Sequence, residues 1–180
     1  MQSQWQKPAL YAGVMLILLG TMVAIAFARS TGKGHIEAVV HVARPAAVVF
    51  PWLVEPAKRI QWVDSLAQST LQPAGPVTVG TTLVDTVDVE GERKEVRTTV
   101  KAYAPPRNLA TAAETTSYDQ TTRCDLADEP GGTAVTCVSD VDFHGWVARL
   151  IAPTIANSFK SRMDADLLRL KTKIEAGPAH

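Results

Sequence analysis

The apolar positions near the start of the chain form one uninterrupted run. Residues 9–28 read ALYAGVMLILLGTMVAIAFA and contain no charged residue. A helix of about twenty residues spans roughly 30 Å, which is the thickness of the hydrocarbon layer of a bilayer. Lys7 precedes the run, and Arg29 and Lys33 follow it. We therefore predict a single transmembrane helix over 9–28, with a short tail at 1–8.

A cleaved signal peptide is the alternative to an uncleaved anchor. Ala26, Phe27 and Ala28 match the small-x-small cleavage pattern, and Lys7 fits the basic region that precedes a signal core. The run is longer than the roughly 7–15 apolar residues of such a core, which favours an anchor. Basic residues nearly balance across the run, so the positive-inside rule does not assign a side. The expectation is a single-pass membrane protein of undetermined topology.

Strand-like and helical stretches follow a small, flexible linker at 29–34. β-branched residues dominate 35–43 and predict a strand. Pro45 suits the first turn of a short helix, and a second short helix is predicted after it. These helices are placed at 46–54 and 58–66, and further strands at 69–72, 81–89, 93–103, 109–116, 121–126 and 133–143.

A long amphipathic helix is predicted at the C-terminal end. Its apolar residues recur every three or four positions: Ile151, Ile155, Phe159, Met163, Leu167, Leu170 and Ile174. Gly177 and Pro178 end the helix, so the folded domain is placed at 35–176 and a tail at 177–180. Strands joined by short turns form an antiparallel sheet, whose face can bury the helix. The prediction is an α+β domain with about seven strands, two short helices and one long helix.

The charge of the chain argues against a nucleic-acid partner. Eighteen basic residues balance eighteen acidic ones, so the formal net charge is zero. Binding to a phosphate backbone needs a basic excess or a basic face. Apolar residues make up 46% and charged residues 20% of the chain, as expected of a folded domain.

The histidines do not form a metal site by spacing. None lies three to five residues from a second ligand on a helix, and the two cysteines lack the spacing of a zinc motif. The four positions are His35, His41, His144 and His180. We therefore predict no metal and no cofactor.

The acidic residues near predicted turns give little support for a catalytic site. His144 follows Asp140 and Asp142, which makes a general acid–base pair conceivable. A histidine that caps a turn explains the position better. Asp85 and Asp88 are interpreted as exposed carboxylates of a strand and its turn. No catalytic residue is assigned, and binding is favoured over catalysis.

Cys124 and Cys137 flank a predicted hairpin turn at 129–132. If Leu126 pairs with Val135, the two cysteines are directly opposed and share one face. That register gathers six side chains on an inward face: Cys124, Leu126, Val135, Cys137, Val141 and Phe143. Opposed Cβ atoms lie about 4.5–5.5 Å apart, wider than the roughly 3.5–4.5 Å of a disulfide. A disulfide and two buried free thiols both stay open, and the spacing favours the thiols.

Several short motifs resemble those of the SRPBCC superfamily, whose helix-grip fold is shared by START domains, the birch-pollen-allergen family and polyketide cyclase/dehydrase-like proteins. The similar stretches are 42–50 (VARPAAVVF), Trp62-Val63, 76–81 (PVTVGT), 103–107 (YAPPR), 131–136 (GGTAVT), and Leu170-Lys171 with Glu175. The resemblance runs from 35 to about 176. It implies a curved antiparallel sheet that grips the C-terminal helix around an apolar cavity, without implying one reaction.

The resemblance places a ligand between the sheet and the long helix. Candidate lining residues are Trp52, Trp62, Val87, Val100, Tyr103, Phe143, Ile155, Phe159 and Met163. The expected function is a membrane-anchored binding module for an apolar or amphipathic small molecule, such as a lipid or an isoprenoid. A cyclase or hydrolase acting on an aromatic or polyketide substrate is one alternative. A structural or interaction domain whose side chains fill the gap is the other.

Overall fold

Seven strands form one antiparallel sheet in the computed structural model, which describes residue 11 and the ranges 15–22, 32–89 and 91–177. The strands are β1 (Lys33–Val42), β2 (Leu66–Gln72), β3 (Thr82–Val89), β4 (Glu92–Ala104), β5 (Asn108–Glu114), β6 (Tyr118–Glu129) and β7 (Gly132–Phe143). Their order across the sheet is β1-β7-β6-β5-β4-β3-β2. Every neighbouring pair is antiparallel, and consecutive strands from β3 to β7 are joined by turns of two or three residues.

Two short helices separate β1 from β2, and one long helix follows β7. They are α1 (Ala46–Val54), α2 (Pro56–Arg59) and α3 (Trp146–Glu175). The predicted α+β arrangement of about seven strands, two short helices and one long helix is confirmed. The second short helix is shorter than predicted: it begins at Pro56, which suits a first helical turn, and ends before Trp62.

The core lies between α1, α3 and one face of the sheet, here called the inner face. A single cluster of buried side chains joins Phe50 of α1 and Leu170 of α3 to Val100 and Val135 of the sheet. Leu170 and Val135 are completely enclosed. The apolar stripe of α3 therefore packs against the inner face, which is the burial that the helical spacing predicts.

The hairpin of β6 and β7 has the predicted register. Leu126 pairs with Val135 and Cys124 with Cys137. Burial alternates along β7, because every second side chain points inward. All six side chains assigned to the inward face are buried.

The two cysteines are bonded to each other. The S–S distance is 2.01 Å, and the Cα atoms of the pair are 4.1 Å apart. The spacing argument favoured free thiols, because the usual Cβ separation of opposed residues exceeds that of a disulfide. Opposed residues that exchange no backbone hydrogen bonds approach to about 4.5 Å between Cα atoms, which brings their side chains closer together.

The prediction of a single-pass membrane protein is wrong. In the part of the chain that the structure describes, no helix is both long and apolar enough to cross a bilayer. Of the predicted span 9–28, the structure describes residue 11 and residues 15–22. The remaining positions, the tail at 1–8 and the alternative cleavage pattern at 26–28 lie outside the described residues.

Candidate functional site

A cavity of about 1100 Å³ lies between the inner face of the sheet and the middle of α3. Strands β3 to β6 contribute most of its wall, and α3 contributes Phe159, Met163 and Leu167 on the opposite side. Pockets that hold small molecules are typically about 300–1,000 Å³. The gap between the two layers is therefore large enough for a ligand.

Most of the cavity wall is apolar. Its apolar members include Ile36, Leu53, Trp62, Leu83, Val87, Leu109, Phe159, Met163 and Leu167. At one end, the ring of Phe159 lies 5.8 Å from that of Tyr118 and 6.1 Å from that of Phe143. Burial raises the pKa of Tyr118 above its usual value, so its phenol stays protonated and neutral.

A row of hydroxyl side chains crosses the inner face in the middle of the sheet. Thr111 of β5 pairs with Thr122 of β6, which pairs with Ser139 of β7. Directly opposed residues point to the same side of a sheet, so Thr111, Thr122 and Ser139 form one line, here called the hydroxyl row. Gln120, the next inward residue of β6, donates from Nε2 to Ser139 Oγ at 2.7 Å and to Thr122 Oγ1 at 3.3 Å.

A buried ion pair supports another part of the wall. Arg59, at the end of α2, donates to both carboxylate oxygens of Asp85, at 2.9 and 2.8 Å. Ser69 donates to Asp85 at 2.6 Å and accepts from Arg59 at 3.0 Å. The side chains of Arg59 and Asp85 are only 14% and 7% exposed. Arg59 lines the cavity, but its charge is matched by Asp85.

A second ion-pair network lies beside α3. Asp166 lines the cavity and accepts hydrogen bonds from the backbone N–H of Asp64 and from Arg169. Burial raises the pKa of Asp166, while the hydrogen bond from Asp64 and the charge of Arg169 oppose that shift. The network fixes the connection that follows α2 against the long helix.

The model of the family described as "Polyketide cyclase / dehydrase and lipid transport" matches residues 33–175. The chain belongs to this family. No curated protein matches the chain in sequence. The match covers all seven strands and the long helix, so the family domain and the folded unit coincide.

Solved structures share the fold of this family domain at low sequence identity. The di-domain ARO/CYC BexL from the BE-7585A biosynthetic pathway is 18% identical with a TM-score of 0.65; the match covers 97% of this chain and 61% of BexL. Ara h 8.0201 is 12% identical with a TM-score of 0.64, over 81% of this chain and 100% of that protein. An uncharacterised protein from Rhizobium leguminosarum is 20% identical with a TM-score of 0.63, over 81% of this chain and 97% of that one. These similarities confirm the predicted helix-grip fold, and the chain spans less than two thirds of BexL.

Part of the predicted lining lies at the cavity of the family domain. Trp62, Val87, Phe159 and Met163 contribute to its wall. The indole N–H of Trp62 donates to the backbone oxygen of Trp52 at 2.9 Å, which holds Trp62 in place. The ligand-binding role of these residues stays a prediction.

The other predicted residues pack in the core beside the cavity. Val100 is completely buried, and the ring of Tyr103 packs on Phe50 at 5.6 Å. Phe143 and Ile155 belong to a second cluster near the start of α3. Spacing along the chain identified inward-facing residues, but it could not separate those that touch the cavity from those that pack beneath it.

His144 and the carboxylate nearest to its ring are not among the residues that line the cavity. His144 Nε2 is 3.1 Å from Asp119 Oδ2, and both side chains are exposed. Asp88 accepts from the backbone N–H of Gly91 in the β3–β4 turn, as expected of a turn carboxylate. The interpretation of Asp85 as exposed is wrong, because Leu83, Asp85 and Val87 alternate onto the inner face.

Sequence reasoning missed the hydroxyl row and the partner of Asp85. The hairpin register already placed Thr122 opposite Ser139 on the face shared with the cysteines. That register was the signal for a polar line inside the fold. The partner of Asp85 gave no comparable signal, because Arg59 lies on a separate short helix and meets β3 only in the folded domain.

Proposed function

We propose that the domain, placed at 35–176, binds an apolar or amphipathic small molecule between the sheet and α3. The observation that carries the proposal is the cavity of about 1100 Å³, which the surrounding side chains leave unfilled. A largely apolar wall with a few hydrogen-bonding groups is typical of small-molecule sites. The family description, which names lipid transport beside cyclase and dehydrase activity, also supports such a ligand.

A cyclase-type enzyme is the second candidate. Its support is Asp166, a cavity-lining carboxyl group with a raised pKa, together with the cyclase and dehydrase activities in the family description. Asp64 and Arg169 already engage Asp166, which favours a structural role for this carboxylate. Binding is therefore the better-supported function, and an unfilled cavity favours it over a purely structural domain.

Full-length protein should bind the fluorescent hydrocarbon diphenylhexatriene saturably, and Phe159→Ala should weaken that binding roughly twofold to tenfold. An aromatic contact is worth about 0.5–1.5 kcal/mol beyond the area it buries, and Phe159 lines the cavity. Fluorescence titration measures both affinities. Phe159 is only partly buried, so the stability cost should be below the roughly 3–5 kcal/mol of an enclosed phenylalanine.

Trp146→Ala is the matched control for this titration. Trp146 also lies on α3, but its side chain is 67% exposed and does not line the cavity. Its replacement should leave the affinity for diphenylhexatriene unchanged. Absence of saturable binding to the unmodified protein would overturn the binding proposal and favour a structural domain.

A further inference from the structure

The hydroxyl row places polar groups on the central sheet within the cavity. On the inner face it lies beside the apolar row of Leu109 and the Cys124–Cys137 disulfide. Thr111 and Thr122 line the cavity, and Ser139 is completely enclosed beside them. Polar groups at such a place are expected to be hydrogen-bonded, so the count of donors and acceptors is informative.

The bonds around Gln120 leave one hydroxyl proton unused. The Nε2 group of the Gln120 amide donates to both Ser139 and Thr122. The hydroxyl groups of Thr122 and Ser139 are 3.0 Å apart and share one hydrogen bond. The two hydroxyl groups carry two protons, and the hydrogen bond between them uses one. The other proton remains available for donation.

Burial decides which hydroxyl keeps the free proton. Ser139 has no exposed surface, and an unpaired donor there would cost roughly 1–3 kcal/mol. With Ser139 as the donor of the bond to Thr122, the hydroxyl group of Thr122 keeps a proton that it can donate into the cavity. Thr111 adds a second hydroxyl at the cavity, and no side-chain partner for it is present among the described residues.

The charges around the cavity do not favour a charged ligand group at this row. Arg59 is neutralised by Asp85, as described above. Lys94 and Arg97 of β4 also line the cavity, and each has an acidic partner. Lys94 pairs with Glu92, and Arg97 pairs with Glu95. The remaining cavity-lining arginine, Arg162, is exposed on α3. A carboxylate at the row would lose its hydration without meeting a buried cation, which is unfavourable.

We propose that the hydroxyl row is the hydrogen-bonding subsite of the cavity, and that Thr122 donates to an uncharged acceptor oxygen of the ligand. The ligand class is thus a neutral, mainly apolar molecule with a carbonyl or a similar oxygen within its skeleton. This inference rests on the proposed binding function. It adds the contact that selects among apolar ligands.

A matched set of fluorescent probes tests the subsite in the full-length protein. The set is a dimethylaminonaphthalene carrying a propionyl ketone, the parent dimethylaminonaphthalene without the ketone, and the corresponding naphthoate. Thr122→Val keeps the branched shape and removes the hydroxyl. It should weaken the binding of the ketone about threefold to tenfold, which corresponds to the net free energy of one hydrogen bond. It should leave the parent compound unchanged, and Thr122→Ser should keep the affinity for the ketone.

Thr121→Val is the matched control, because it makes the same change at the neighbouring residue of β6, which is exposed on the opposite face of the sheet and does not line the cavity. It should not change the affinity for the ketone. A loss in Thr121→Val as large as that in Thr122→Val would overturn the assignment. If Thr122→Val lowers the affinities for the ketone and for the parent compound equally, the assignment is also overturned. The same holds if the naphthoate binds as tightly as the ketone.

The carbonyl stretching frequency of the bound ketone tests the same contact without any substitution. In the unmodified protein it should lie below the frequency of the ketone in hexane, because a hydrogen bond weakens the C=O bond. An unshifted frequency would overturn the subsite. If the unmodified protein binds neither ketone nor parent compound, the proposed binding function itself fails, and the subsite with it. Binding of both with no response to Thr122→Val overturns the subsite alone.

Discussion

Replacing Arg59 with methionine should lower the free energy of unfolding by about 3–5 kcal/mol. The substitution removes the cation that faces both carboxylate oxygens of Asp85. Asp85 is 7% exposed, so it would remain buried with Ser69 as its only side-chain donor among the described residues. Urea denaturation of the full-length protein measures the loss and shows whether the m-value stays constant.

Two further variants separate two costs of Arg59→Met. One is the cost of leaving Asp85 buried without a cation, and the other is the cost of losing an arginine side chain. Arg59→Met/Asp85→Leu removes both charges and should recover most of the lost stability, since apolar pairs often replace buried ion pairs without penalty. Arg123→Met breaks another arginine–aspartate pair with a distance of 2.8 Å, but its partners are 61% and 45% exposed. It should cost less than about 1 kcal/mol. An equally small loss in Arg59→Met would contradict the expected role of the buried pair.

The parts of the fold that follow local periodicity could be predicted from the sequence. Alternation along β7 and the opposed cysteines fixed the register of the hairpin, because a shift by one residue would turn Val135 and Val141 outward. The three- and four-residue spacing of apolar positions identified α3. The order of the short motifs then indicated how sheet and helix combine, and the family match agrees with it.

The cavity itself could not be predicted residue by residue. Phe143 and Phe159 have rings 6.1 Å apart in the same aromatic group, yet only Phe159 reaches the cavity wall. Whether an inward side chain meets a ligand space or another side chain depends on the distance between α3 and the sheet. The sequence pattern specifies which face is inward, but not that distance.

The Arg59–Asp85 pair shows a second limit of sequence reasoning. An aspartate in a strand is usually exposed, since an isolated buried carboxylate is costly. Asp85 is an exception because its ion pair with Arg59 of α2 compensates for the hydration that the buried carboxylate loses. The strand pattern Leu83-x-Asp85-x-Val87 favoured burial, but the decisive partner is 26 residues away and belongs to another element.

Removing the disulfide with Cys124→Ala/Cys137→Ala should lower the free energy of unfolding by about 2–4 kcal/mol. A cross-link stabilises a protein mainly by restricting its unfolded chain, and a loop of about 15 residues corresponds to roughly 3 kcal/mol. The two cysteines are separated by 13 positions, and both line the cavity on the inner face. Chemical denaturation of the variant, and of the unmodified protein with and without dithiothreitol, measures the effect.

The response to the reductant identifies the disulfide as the cause. Dithiothreitol should destabilise the unmodified protein by nearly the same amount and leave the double variant unchanged. Protein that is alkylated under denaturing conditions at lysis should carry no alkylated cysteine, because Cys124 and Cys137 are the only cysteines of the chain and are bonded to each other. That result would indicate folding in an oxidising environment, where such bonds persist. Two alkylated cysteines, with stability insensitive to dithiothreitol, would contradict the bridge and leave two buried cysteines that pack as small apolar side chains.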